Sequence, residues 1–155
     1  AFSPTEPGHL YVSNAHAGAG NGSVSAFSVS QAGALSSIGD SPFFNGQTAP
    51  CWVEISHDGN YLFAVNTASV SISGYRIRGD GSLELLTTTP LQSGLAISPF
   101  DARLDPSGEH LYVVDAAIAA VSIFEVDGAS LTELSSSPAA LPAGATPFGI
   151  VVTAA

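Results

Sequence analysis

The chain of 155 residues carries thirteen acidic residues against three basic ones, for a net charge of −10. Nucleic acid and anionic membrane surfaces are therefore poor partners, because almost nothing here could replace the counterions condensed around phosphates. A single cysteine, Cys51, excludes an intrachain disulfide and a thiolate metal cluster, and 45% hydrophobic content in ordered clusters excludes a disordered composition.

In chain order, Phe2-Ser3-Pro4 reads as the end of a strand, and residues 9–13 as the next strand after a turn containing Gly8. Residues 23–29 alternate small or polar with apolar side chains, the period of a half-buried strand. The link between these two strands is four residues longer than its later counterparts and carries His16 among glycines. A further strand signal covers residues 34–38.

Pro50 opens the best preserved unit: a strand at 51–55, the turn His57-Asp58-Gly59-Asn60 with glycine where positive φ is wanted, and strands at 61–65, 71–77 and 82–86. The same order returns after Pro99 as strands at 100–104, 110–114, 120–126 and 130–134. After Pro147 a last first-strand signal begins. No stretch shows a helical period with caps.

Pro50, Pro99 and Pro147 recur at intervals of 49 and 48 residues. Four short strands repeated at that period predict an all-β fold of β-propeller blades, each a four-stranded antiparallel sheet. Residues 1–155 then form one partial propeller domain, with units of about 1–49, 50–98 and 99–146 and a closing strand at 147–153. Three blades do not close a ring of about four to eight. Their outer faces need cover, either from the remaining blades of the same parent chain or from further copies of this one. The first source is favoured, because residues 2–4 keep only the end of their own first strand.

First strands line the central channel of such a fold, and the long loops gather at its upper face, where propellers bind ligands. Glu54, Asp101 and Arg103 stand out as charges on first strands, where a structural ion pair is the default and a general acid or base the sharper alternative. Trp52, Phe100 and Phe148 are expected to cluster near the upper mouth and to wall a planar or sugar-like ligand. Asn14, Asn66 and Asp115 share one position at the top of the second strands, where they suit either a ligand or the turn that follows. His16 is the polar candidate on the upper loop. No histidine pair has ligand spacing, so neither a metal nor a cofactor is expected.

Gly22-Ser23-Val24-Ser25-Ala26-Phe27, Gln47-Thr48-Ala49-Pro50-Cys51-Trp52-Val53, Asp58-Gly59-Asn60-Tyr61-Leu62-Phe63-Ala64-Val65-Asn66, Ile72-Ser73-Gly74-Tyr75-Arg76-Ile77 and Leu141-Pro142-Ala143-Gly144-Ala145 together resemble the lactonase family of seven-bladed β-propellers. That family includes 6-phosphogluconolactonase and the carboxymuconate lactonising enzyme, and the likeness is to its C-terminal blades. The resemblance implies about three of seven blades and hydrolysis of a small-molecule lactone at the top of the channel. Members acting on phosphorylated lactones use arginines and acidic residues at the axial ends of blades. Just after the blade prolines this chain has Cys51, Phe100 and Phe148 instead, so no family catalytic residue transfers to a number here. His16, Glu54, Asp101 and Arg103 are the candidates left by the residues themselves.

The rival readings are a non-catalytic exported propeller that binds a protein or carbohydrate through its upper loops, and a partial propeller that assembles with itself. Scarce basic residues and abundant Ser, Thr and Gly lean towards a secreted or periplasmic protein, with the cytoplasm as the alternative.

Overall fold

A computed structural model describes residues 1–15, 18–91 and 98–153. Its strands are β1 (His9–Asn14), β2 (Ser23–Val29), β3 (Leu35–Ser37), β4 (Phe43–Phe44), β5 (Pro50–Ile55), β6 (Tyr61–Asn66), β7 (Ser71–Ile77), β8 (Leu83–Pro90), β9 (Pro99–Leu104), β10 (His110–Asp115), β11 (Ala120–Asp127), β12 (Ser130–Glu133) and β13 (Ala139–Ala140). Among the described residues they form three antiparallel sheets. The middle one runs β5-β6-β7-β8, the last β9-β10-β11-β12 with β13 also on β11, and the first β1-β2-β3 with β4 also on β2. These are propeller blades in the predicted order.

Each blade is a slab whose two faces alternate along every strand. In the middle blade Leu62, Ala64 and Tyr75 turn towards the first blade and join Tyr11, Val24, Ala26, Ile38, Ile55 and Leu83 in one core. Phe63, Val65 and Ile72 turn the other way and join Ala102, Leu104, Leu111, Val113, Phe124 and Leu131 in a second. The molecule therefore has a core between each pair of neighbouring blades, and β6 is buried because it contributes to both. Gly74 on β7 sets the second spacing: a Cβ there would run into the backbone carbonyl of Ala129.

The lower turns are held by short acidic side chains. Asp58 accepts from the Ser56 hydroxyl at 2.6 Å and from the Asn60 amide at 2.7 Å, Asp80 accepts from Ser82 Oγ at 2.6 Å, and Asp105 accepts from Ser107 Oγ at 2.7 Å. Such carboxylates replace the backbone partners that a tight turn removes.

Three departures from the sequence reading have physical causes. The outer strands of the first and last blades are broken, β3 from β4 and β12 from β13, with Ser41-Pro42 and Ser137-Pro138 in the breaks. Proline supplies no ladder N–H. The middle blade has no proline inside that stretch, only Pro90 at its end, and keeps β8 whole over eight residues. A single 3-10 turn, Ala116–Ile118, occupies the link after β10. Residues 147–153, expected as a closing strand, form no ladder. Their backbone lies beside β9, where the Ile150 N–H donates to Asp101 Oδ2 at 3.1 Å, and a ladder needs the edge of a further second strand, which these three sheets do not offer.

Candidate functional site on the inner strands

The inner strands present their side chains at fixed register against the second strands. Glu54 stands opposite Phe63 on β6, and Arg103 opposite Tyr112 on β10. Pairing is irregular near the start of β5 and of β9, between Pro50 and Trp52 and again beyond Ala102. Ala49 and Ser98, just before the blade prolines, hold positive φ of 55° and 49°. The chain thus enters both inner strands through an equivalent sharp bend.

The expected charge cluster is present. Arg103 Nη1 lies 2.7 Å from Asp101 Oδ1 and 3.6 Å from Glu54 Oε2, and it also donates to the Ala102 carbonyl. Glu54 Oε1 accepts from the Leu104 N–H at 3.1 Å, so this side chain ties β5 to β9. Asp101 makes the equivalent tie from β9 to the closing segment, accepting from Ile150. Burial pushes the Glu54 carboxyl above its ordinary pKa, against the opposing pull of the Leu104 N–H and of Arg103. Its side chain is 18% exposed and that of Arg103 38%, so water reaches the guanidinium more readily than the carboxylate.

The aromatic cluster also forms. Trp52 meets Phe100 edge-on at 5.4 Å between ring centroids and Phe148 at 5.6 Å, while Phe100 and Phe148 are 5.0 Å apart. Each such pair contributes about 0.5–1.5 kcal/mol beyond its buried area. Trp52, Glu54 and Arg103 share an open cavity of about 470 Å³ with Cys51, Val53 and the β1 residues Leu10 to Ser13. Ser13, which sequence reasoning passed over, donates its hydroxyl to the Cys51 carbonyl at 2.8 Å across that cavity wall. Its only signal was its place next to Asn14.

Asn14, Asn66 and Asp115 sit at equivalent register positions, turned to the serines of the third strands. Asn14 Nδ2 donates to Ser23 and Ser25, Asn66 Nδ2 to Ser71 and Ser73, and Asp115 Oδ2 accepts from Ser122 at 2.7 Å. Asn45, another residue without a sequence signal, completes the middle set by donating to Asn66 Oδ1 at 2.9 Å. Among the described residues Asp115 Oδ1 has no hydrogen-bond partner, although it is buried. Burial, reinforced by the Glu133 charge and opposed by Ser122, pushes the Asp115 carboxyl up to about 6. None of the three lines the cavity beside Arg103. His16 lies outside the described residues.

Residues 2–152 match the family model for lactonases with a seven-bladed β-propeller. The chain belongs to that family. Among solved structures this chain is similar to the periplasmic gluconolactonase of Pseudomonas aeruginosa, at 22% identity and a TM-score of 0.73, covering 92% of this chain and 42% of that one. A Bacteroides uniformis protein provisionally described as a 6-phosphogluconolactonase gives 16% identity and a TM-score of 0.73 over 92% of this chain and 43% of its own. A functionally unknown protein of Desulfotomaculum acetoxidans gives 22% identity and a TM-score of 0.72 over 87% and 40%. No functionally curated protein matches the sequence. The chain therefore spans about two fifths of the length of these structures, and the fold is what they share with it.

Proposed function

We propose that this lactonase-family chain supplies one wall of a lactone-hydrolysing site at the channel mouth. The observation that carries the reading is the meeting of Glu54, Asp101 and Arg103 from two successive inner strands, with Trp52 joining the first and last around a single cavity. The lactone ring rests against the Trp52 face. Glu54, held back from ionisation by burial, takes a proton from the attacking water as that water's oxygen bonds to the carbonyl carbon. The Arg103 guanidinium, oriented by Asp101, offsets the charge growing on the carbonyl oxygen. The ring C–O bond then breaks, the leaving alkoxide recovers the proton from Glu54, and a hydroxy acid results.

Acid release from a panel of lactones, followed at constant pH, tests this. We expect turnover that falls at least tenfold in Glu54→Gln and in Arg103→Ala, within the usual range for loss of an acid–base or oxyanion group. Turnover no faster than buffer, from protein with a native β-sheet spectrum, would remove the reading. A second reading, a non-catalytic propeller that binds carbohydrate, draws on the aromatic cluster, since its rings suit the apolar face of a sugar. Titration with monosaccharides, followed by Trp52 fluorescence, separates it from hydrolysis.

Composition and the periplasmic gluconolactonase neighbour both favour a periplasmic or secreted setting. Among the described residues no helix is long and apolar enough to cross a membrane.

A further inference from the structure

The middle and last blades treat one buried position in two ways. Asp115 closes β10 on the face that Leu111 and Val113 turn towards the middle blade, so it lies in the junction between the two and is fully buried. Asn66 holds the same place at the end of β6. Each reaches the hydroxyl seven residues further on, Asn66 through Nδ2 to Ser73 at 2.9 Å and Asp115 through Oδ2 to Ser122 at 2.7 Å. That match makes the two Oδ1 atoms equivalent.

In the middle blade Oδ1 faces an electropositive group: Asn45 Nδ2 stands 2.9 Å from it and 3.2 Å from Ser73 Oγ. Beside Asp115 Oδ1 none of the described residues supplies such a donor. The surroundings are acidic instead. Ser122 Oγ, already bonded to Asp115, lies 3.4 Å from Glu133 Oε1, and Ser137 Oγ donates to that same carboxylate oxygen at 2.7 Å. A pair of amides has become a pair of carboxylates around one hydroxyl. No cationic side chain answers Asp115, because the chain has no lysine and its three arginines are engaged with Glu84, Glu54 and Asp101. A buried carboxylate oxygen without a donor calls for a positive partner.

We propose that Asp115, Glu133 and the Ser122 hydroxyl hold a calcium ion at the place that Asn45 Nδ2 fills in the middle blade. All three ligands are hard oxygens, the kind that suits calcium rather than zinc or copper. Glu133 ends β12, just before the break that contains Pro138, and Asp115 ends β10. The ion therefore clamps the interrupted outer strand to the second strand of the same blade. Its ligands come from different strands and meet only in the fold, which is why histidine and cysteine spacing does not reveal them.

Calorimetric titration of the full chain with calcium chloride, after dialysis against a chelator, is the test. One site per chain is expected, with a Kd of about 0.1–1 mM, the range of extracellular calcium modules. Asp115→Asn is expected to weaken binding at least tenfold, and it is expected to fold, since Asn66 occupies the equivalent place. A wild-type chain that takes up no calcium overturns the proposal. So does an Asp115→Asn chain that binds as tightly as wild type, because the heat then belongs to the acidic surface. Stability gives a second readout at constant ionic strength: calcium raises the urea midpoint of the wild type and leaves that of Asp115→Asn unchanged. An equal rise in both overturns the assignment. Heats and midpoints are read without substrate, so they stand or fall separately from lactone turnover.

Discussion

At the scale of single residues, the most informative position is Asp115. The other two blades have asparagine there, and in the middle blade the amide spends both its donor and its acceptor on Ser71, Ser73 and Asn45. The carboxylate of the last blade leaves one oxygen buried without a donor among the described residues and faces Glu133. A carboxyl whose pKa is higher folded than unfolded binds its proton more tightly in the folded state. Its stabilising contribution is therefore complete below the ordinary value of 3.8 and disappears as pH rises through about 6. We expect Asp115→Asn to raise stability at pH 8 by about 1–2 kcal/mol and to flatten the slope between those values. Urea unfolding at a series of pH values measures both. Arg103→Ala is expected to go the other way, by about 1 kcal/mol at neutral pH. It leaves Glu54 and Asp101 facing one another, but the guanidinium is exposed enough for water to screen much of the loss. Guanidinium chloride would mask this effect by screening, so urea is the denaturant to use.

At the scale of elements, close approach between blades decides what side chains are tolerated. Gly74 has no need of positive φ; it is small because the Ala129 carbonyl of the neighbouring blade occupies the place of a Cβ. Gly74→Ala is expected to destabilise by about 1–3 kcal/mol, read as a lower urea midpoint, since either β7 or the turn at Ala129 must move. Phe63→Ala, which empties the second core, is expected to cost about 3–5 kcal/mol by the same measurement. The strands of each blade were legible because apolar and small residues alternate along them and because glycine-containing turns punctuate them. The prolines at 42 and 138 could have revealed the broken outer strands, had the missing ladder donor been weighed against the apolar signal. The closing segment 147–153 read as a strand because its sequence matches the other inner strands, yet a strand exists only beside a partner edge. That partner cannot be read from the segment's own composition.

At the scale of the whole molecule, the repeat period carried the architecture, and the family match over residues 2–152 agrees with it. The charged and aromatic clusters were legible as residue types on inner strands. Which of their members share the cavity was not, because Arg103 reaches from β9 to Glu54 on β5 while Asp101 turns to Ile150, so that Asp101, Phe100 and Phe148 stay outside its lining.

The serine and asparagine sets inside the blades have a consequence for folding fidelity. A strand that slipped by two residues would still present oily side chains to the same neighbours, so the apolar cores alone tolerate such errors. The amide of Asn66 does not, because a slip carries it away from its hydroxyl acceptors and leaves a buried polar group without partners. These side chains act as locating pins between otherwise interchangeable slabs.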